Sequence, residues 1–164
     1  MIDIENDILI REIDEECNLK SFKCKKDIVN KFFYKKSIFN NKNLLSKVYI
    51  IENIRNKDII GYFTLSTYRL NLEHGKKYGI QKLPAILLGR MGIDNNYRGL
   101  RLTETHIIPY TVGVCDDVKQ NVGCRLLIAE IERGDQLKDY LLEIGMNEER
   151  ITKSHHILSV DLLT

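Results

Sequence analysis

The sequence predicts an α/β fold, with a mixed central β-sheet flanked by helices on both faces. Segments of strand-like composition alternate with segments of helical periodicity in the order β-α-β-β-β-α-β-α-β. The 164 residues are enough to bury one core, and 43% hydrophobic with 29% charged residues is typical of a globular protein. We therefore expect residues 1–164 to form a single domain.

The first half of the chain is expected to contain three strands and one helix. Strands are predicted over residues 8–13, 48–52 and 59–67, and the last two are joined by a short polar hairpin turn. A helix is predicted over residues 27–40, with Asp27 as its cap or first-turn acid. Its apolar stripe is formed by Ile28, Val29, Phe32 and Phe33.

The second half begins with a loop over residues 68–82, which has no periodicity. The apolar run after Pro84 predicts a strand buried on both faces. In the helix that follows Gly99, Pro109 must produce a kink or mark where the regular part begins. Gly145 is expected to end the last helix. The elements predicted are strand 85–93, helix 102–119, strand 125–131, helix 135–144 and strand 157–163.

Charge is distributed unevenly along the chain. Residues 1–19 carry seven acids and one base, whereas in residues 20–47 lysine recurs and Asp27 is the only acid. The lysine-rich block is either a solvated helix face or a patch for nucleic acid, and both interpretations remain open.

The sequence offers no targeting segment and no metal motif. The N-terminal apolar run is too short for a signal peptide or a membrane span, so a cytoplasmic protein without membrane contact is expected. The four cysteines form no CxxC pair and have no histidine at ligand spacing, which favours reduced structural thiols.

The most informative stretch is residues 83–103, LPAILLGRMGIDNNYRGLRLT. A buried strand leads into a turn, a glycine-containing segment and then a helix start, which directs free backbone N–H groups at one place. The helix N-terminus adds positive potential, and Arg98 and Arg101 flank the turn. The pattern predicts a pyrophosphate site.

The order of elements around this turn resembles the acetyl-CoA motif of GNAT acetyltransferases, Arg/Gln-x-x-Gly-x-Gly/Ala after the fourth strand. Gly99 matches the central glycine, whereas Asn96 and Arg101 depart from the first and last positions. Thr103 stands where a further small residue is common.

The similarity to toxin-like members of this family spans about residues 20–163. It includes Phe22-Lys23-Cys24, Gly61-Tyr62-Phe63-Thr64-Leu65, and the stretch from Pro84 through Leu88-Gly89-Arg90-Met91-Gly92-Ile93-Asp94 to Tyr97 and Gly99. Val122-Gly123-Cys124-Arg125 enters the next strand, as in many of these proteins. The long middle motif is the specific part.

The resemblance implies acetyl-CoA as cofactor and assigns most of the site to the fourth strand and the loop after it. In the family, backbone groups of this strand pair with the pantetheine arm, and the Ile93 N–H is the implied oxyanion donor. The cofactor-binding residues expected are Met91, Gly92, Ile93, Arg98, Gly99, Leu100, Arg101, Leu102 and Thr103. The alternative is that Met91–Ile93 are merely core strand residues.

The family's acid is a tyrosine near the C-terminus. Aligned on Gly145, Leu141 takes that place and Tyr140 lies one residue earlier. Tyr140 is therefore our candidate general acid, with a packing role as the equal alternative. Weaker candidates are Glu52 as a base and one of His155 and His156, while packing or solvation is expected for Glu104, His106 and Tyr110.

Two functions follow as hypotheses. The first is an N-acetyltransferase acting on a primary amine, for which toxin-like members imply aminoacyl-tRNA and a DNA-binding antitoxin as partners. The second is a catalytically degenerate protein of the same fold that acts as a binding or regulatory module, favoured by the departures at Asn96, Arg101 and Leu141. The sequence leaves open a homodimer, the acceptor and whether an antitoxin exists.

Overall fold

The computed structural model describes residues 1–71 and 79–163. Within these residues the strands are β1 (Ile8–Glu12), β2 (Lys47–Asn53), β3 (Ile59–Asn71), β4 (Lys82–Ile93), β5 (Leu126–Glu132), β6 (Asn147–Ile151) and β7 (His155–Asp161). The α-helices are α1 (Asp27–Lys42), α2 (Ile108–Asn121) and α3 (Leu137–Glu143). Short 3₁₀ helices occupy Leu19–Ser21 and Asn95–Tyr97, and a π-helix occupies Thr103–Ile107.

The strands form one mixed sheet in the order β1-β2-β3-β4-β5-β7-β6. The pairs β1–β2, β2–β3, β5–β7 and β6–β7 are antiparallel, and β4 pairs with β5 in parallel. The predicted mixed α/β sheet is confirmed. The hairpin predicted between β2 and β3 is also present, with Lys57 in the left-handed region at φ 64°.

Contacts divide the described chain into two compact units, and the single-domain expectation stays a prediction. The first comprises residues 1–65 and 90–109. Its core lies between α1 and strands β2 and β3, where Phe22, Phe33 and Tyr62 are fully buried and their rings pack against each other. The Tyr62 hydroxyl donates to the Val29 carbonyl at 2.8 Å, so this buried polar group is satisfied.

The second unit comprises residues 66–89 and 110–164. Its core is aliphatic and consists of strand residues, namely Leu70, Leu83, Ala85, Leu126, Ile128 and Ile157. At one end of β5, Arg125 donates its backbone N–H to Pro84 and forms a 2.5 Å ion pair with Asp161. These contacts fix the parallel start of β4 and β5.

The strand β6 was not predicted. All five of its residues, Asn147–Ile151, are exposed, so the sequence NEERI has no apolar alternation to reveal it. The predicted loop over residues 68–82 was wrong at both ends, since β3 continues to Asn71 and β4 begins at Lys82. The central part of that loop lies outside the described residues.

The helix ends follow the sequence signals. Asp27 is the first residue of α1, so of the two roles expected it is a first-turn acid and not the cap. The N–H of Ile108 donates to the Thr103 carbonyl, a π-type bond just before Pro109, and the regular helix begins at Ile108, next to the proline. Gly145 lies just after the end of α3 in the left-handed region at φ 104°. No helix within the described ranges is long and apolar enough to cross a membrane.

Candidate functional site

The carboxyl end of β4 has one edge held by β3. Asp94, directly after the strand, donates its N–H to the Ile60 carbonyl of β3 at 2.7 Å. Successive residues of a strand direct their backbone groups to opposite edges, so the N–H of Ile93 is directed away from β3. The resemblance implies that the Ile93 N–H is the oxyanion donor, and a donor to a bound ligand must point away from the neighbouring strand in this way.

The opposite edge of β4 is paired with β5 only at Ala85–Leu88. The strand continues for five more residues, and in the described part of the chain Gly89–Ile93 have no β5 partner in this register. Backbone groups on such an edge can pair with an extended ligand in the manner of an added strand. The predicted residues Met91 and Ile93 both belong to this segment.

Gly92 is in tight contact with the first unit's core. A Cβ at this position would lie 2.8 Å from Val29 Cγ1, 3.2 Å from Phe22 Cζ and 3.3 Å from Cys24 Sγ. Gly61 faces the same strand, since its Cβ would lie 2.9 Å from the Gly92 carbonyl oxygen. The two glycines let β3, β4 and α1 approach each other closely. Phe22, Cys24 and Gly61 all belong to the family motifs quoted from the sequence, and this close approach explains why they occur together.

Asp94 fixes the loop that follows β4. Its carboxylate, on a residue 3% exposed, accepts from the N–H groups of Lys23 at 2.7 Å and Asn96 at 2.8 Å. Asn95 in turn donates its N–H to the Lys23 carbonyl at 2.9 Å. An aspartate that accepts from the N–H two residues later forms an Asx-turn, and an aspartate directly after an apolar strand is the sequence signal for it.

The loop presents a row of free backbone donors. None of the four N–H groups from Arg98 to Arg101 donates a hydrogen bond to another described residue. Gly99 adopts φ 84° and Arg101 φ 54°, and a helical segment begins at Leu102. Consecutive N–H groups in alternating conformations before a helix form a concavity suited to an anion. Thr103 opens the helical turn.

Arg101 occupies a left-handed conformation that favours glycine. The family pattern has a small residue here, so the backbone shape is retained although the side chain is not. The Arg101 side chain is 68% exposed, and its Nε lies 3.9 Å from Glu104 Oε1, too far for a hydrogen bond. The positive charges of Arg98 and Arg101 are thus exposed beside the free donors.

In the second unit, the two positions considered for the general acid are adjacent on α3 and differ in burial. Leu141 is fully buried, whereas Tyr140 is half-buried. The half-buried phenol is compatible with the candidate acid and with a packing residue alike, so its role stays a prediction. The position that aligns with the family's tyrosine is a core position in this chain.

The weaker candidates are engaged in other interactions. Glu52 is buried, and its Oε2 accepts from Arg11 Nη2 at 2.9 Å. His156, 9% exposed, has its Nδ1 2.6 Å from Glu148 Oε2, whereas the adjacent His155 is half-buried. His106 Nδ1 lies 2.8 Å from Thr105 Oγ1. These contacts engage Glu52 with Arg11 and His156 with Glu148, and the functional roles considered for them stay predictions.

The cysteines are free thiols, as expected. Cys24 and Cys115 are buried, and burial raises the pKa of Cys115 to about 12 and shifts the pKa of Cys24 in the same direction. Such thiols are protonated and unreactive at neutral pH. Among the described residues there is no cluster of His, Cys, Asp and Glu that could hold a metal ion.

The fold is shared with bacterial toxin structures. AtaT complexed with acetyl-methionyl-tRNAfMet superposes with a TM-score of 0.79 at 19% identity over 94% of this chain and 95% of AtaT. A tyrosine-to-phenylalanine mutant of KacT gives 0.82 at 19% identity over 96% of each chain. AtaTR bound with acetyl-CoA gives 0.78 at 19% identity over 96% of this chain and 95% of the other. The chain therefore has the GNAT-type fold of these proteins.

No protein-family model matches the sequence, and no curated protein sequence matches it either.

Proposed function

We propose that this protein is an acetyl-CoA-dependent N-acetyltransferase whose acceptor is the α-amino group of an aminoacyl-tRNA. The observation that carries the proposal is the row of four N–H groups from Arg98 to Arg101 that donate to no described residue, next to the segment of β4 that has no β5 partner among the described residues. The similar structures support the substrates, because AtaT is found with acetyl-methionyl-tRNAfMet and AtaTR with acetyl-CoA.

The chain's groups match the chemical features of acetyl-CoA. The N–H groups of residues 98–101 and the exposed charges of Arg98 and Arg101 suit a diphosphate, and the helical start at Leu102 and Thr103 adds positive potential. Met91 and Ile93 direct their backbone groups to the free edge of β4, where they suit the pantetheine amides, and Gly92 lies between them with its own groups toward β3. When bound, acetyl-CoA supplies an activated acetyl thioester.

Each catalytic role falls to a named group of the chain. The Ile93 N–H stabilises negative charge that develops on the thioester oxygen. Tyr140 would donate its phenolic proton to the departing CoA thiolate and regain a proton from the amine nitrogen, which loses one as the amide forms. An ester-linked α-amine is less basic than a lysine amine, so a substantial fraction is neutral near pH 7 and can attack without a strong base. This agrees with Glu52 being committed to Arg11.

The partners and the compartment follow from the same proposal. Aminoacyl-tRNA is a cytoplasmic substrate, so we place the protein in the cytoplasm, with the exposed lysines of residues 20–47 as a site for RNA phosphates. A DNA-binding antitoxin is proposed as a partner, since AtaT is found bound to the C-terminus of the antitoxin AtaR and KacTA is found with DNA.

The test is acetyl transfer from radiolabelled acetyl-CoA to a charged tRNA. We expect the label on the aminoacyl-tRNA and none on uncharged tRNA. Alkali should hydrolyse the aminoacyl ester and release the amino acid with the label still attached, because the acetyl group is held by an amide bond. Label on a peptide or small amine instead would contradict the acceptor. Binding of acetyl-CoA without transfer to any amine would favour a degenerate binding module.

A further inference from the structure

The C-terminal end of α1 displays three large apolar side chains to solvent. Phe39 is 61% exposed, Leu44 75% and Leu45 59%, and together we call them the α1 end patch. The helix closes with the Leu45 N–H donating to Asn40 and the Leu44 N–H donating to Asn41, with Leu44 left-handed at φ 56°. This is a Schellman closure with leucine at the position that favours glycine.

Folding does not account for the leucine at this position. A left-handed conformation costs a non-glycine residue free energy that glycine or asparagine would largely avoid, and the Leu44 side chain recovers little by burial. Phe39 and Leu45 lie at the same end of the helix, because the Leu45 N–H donates to the Asn40 carbonyl, one residue after Phe39. Backbone strain combined with a contiguous exposed apolar group is characteristic of a binding surface.

Exposed lysines on α1 precede the patch. Lys31, Lys35 and Lys36 are exposed on the same helix, and none forms an ion pair with a described residue. Lys35 and Lys36 lie four and three residues before Phe39 and are therefore its neighbours on the helix surface. Lys42, by contrast, is neutralised by Glu15. The patch is apolar with an unneutralised basic border on one side.

We infer that the α1 end patch binds an acidic amphipathic peptide segment of another protein, whose apolar side chains cover Phe39, Leu44 and Leu45 while its carboxylates meet the lysines. Charge complementarity selects this occupant. A second copy of this chain placed face to face would bring the same lysines against each other. RNA would use the lysines and could stack a base on Phe39, but it would leave the two exposed leucines uncovered, because bases stack on aromatic rings. The inference does not depend on the proposed acetyl transfer, but it uses lysines that the proposed function also assigns to RNA phosphates, so peptide and RNA would compete for them.

The experiment measures binding of a fluorescein-labelled synthetic helix of about 18 residues, with leucines on one face and glutamates elsewhere, by anisotropy. A second probe replaces its leucines with serines and keeps the charge. Leu44→Gly should lower the affinity for the leucine probe about tenfold and leave the weak affinity for the serine probe unchanged. Leu163→Gly removes another leucine, 73% exposed, and should bind both probes like wild type.

Leu44→Gly also separates binding from folding, because glycine suits the left-handed position and its melting temperature should equal or exceed that of wild type. Lys36→Glu should weaken the leucine probe as well. Unchanged affinity in Leu44→Gly would overturn the inference. It would also be overturned if light scattering showed that the wild type is a dimer and that Leu44→Gly is a monomer. A third contrary result would be a Leu44→Gly variant that no longer binds an oligoribonucleotide but binds the leucine probe like wild type.

Discussion

The backbone N–H of Lys23 donates to the Asp94 carboxylate at 2.7 Å, joining two positions that are 71 residues apart. The contact ties the segment before α1 to the first residue after β4. Because Asp94 also caps Asn96, a single buried carboxylate determines where the proposed cofactor loop leaves the sheet.

Asp94→Asn should therefore destabilise the fold. An amide can accept at only one atom, so an NH₂ group would oppose either Lys23 N–H or Asn96 N–H. Losing one such bond at a buried site costs about 1–3 kcal/mol. Chemical denaturation measures the free energy of unfolding. Asp117→Asn, at an exposed carboxylate, is the control and should change it by less than about 0.5 kcal/mol. Equal stabilities of the two variants would contradict the role assigned to Asp94.

Gly99→Asp should weaken acetyl-CoA binding, because a carboxylate beside the free donors repels the diphosphate and obstructs its approach. Calorimetry measures the dissociation constant. The matched control is Gly134→Asp, since Gly134 has φ 87° against 84° for Gly99 and a Cβ at either position would meet open space. Both variants should lose similar stability, but only Gly99→Asp should lose affinity. Equal acetyl-CoA affinities in the two variants would show that the loop does not contribute to acetyl-CoA binding.

Arg101→Gly should stabilise the protein by about 0.5–1 kcal/mol, since it relieves the left-handed strain at φ 54°. It should also lower acetyl-CoA affinity a few-fold by removing a charge near the diphosphate. Arg98→Ala is the comparison, because Arg98 has an extended backbone at φ −70° and loses only its charge. Thermal unfolding and calorimetry are the two measurements. A destabilised Arg101→Gly would mean that its long contact with Glu104 contributes more than the backbone strain costs.

Tyr140→Phe should lower turnover by about 10²–10⁴-fold and leave acetyl-CoA affinity almost unchanged, if the phenol is the general acid. Steady-state rates with charged tRNA measure this. An unchanged rate would identify Tyr140 as a packing residue. Leu141→Tyr would restore the family's residue, but Leu141 is fully buried, so that variant is expected to lose stability and must be checked for folding first.

RNA binding by the lysine-rich block should depend on charge and fall steeply with salt, because phosphate contacts release counterions. The double variant Lys31→Gln with Lys35→Gln should weaken tRNA binding and reduce the salt slope by about 2. Lys82→Gln with Lys153→Gln removes the same charge from exposed positions elsewhere and should leave the slope unchanged. Absence of binding at low salt would mean that the block is only a solvated surface.

The sequence was most informative where local chemistry determines structure. The apolar run of β4, the glycine at Gly99 and the proline at Pro109 each predicted a feature that the structure contains. These signals need no partner far along the chain, because glycine and proline constrain their own backbone.

Tertiary features were harder to predict. The role of Asp94 depends on Lys23, and the need for glycine at Gly92 depends on Val29 and Phe22, which lie on other elements. The left-handed conformation of Arg101 could not be predicted from its side chain, since arginine has no preference for that conformation. The burial of Leu141 likewise depends on what packs over α3.

The exposed strand β6 has a consequence for the protein's solubility. It lies at one edge of the sheet, where unpaired backbone groups invite pairing with another chain. Its side chains include Glu148, Glu149 and Arg150, and charged residues on an edge strand oppose such pairing. The absence of apolar alternation that hid β6 from sequence analysis thus also protects this edge of the sheet from aggregation.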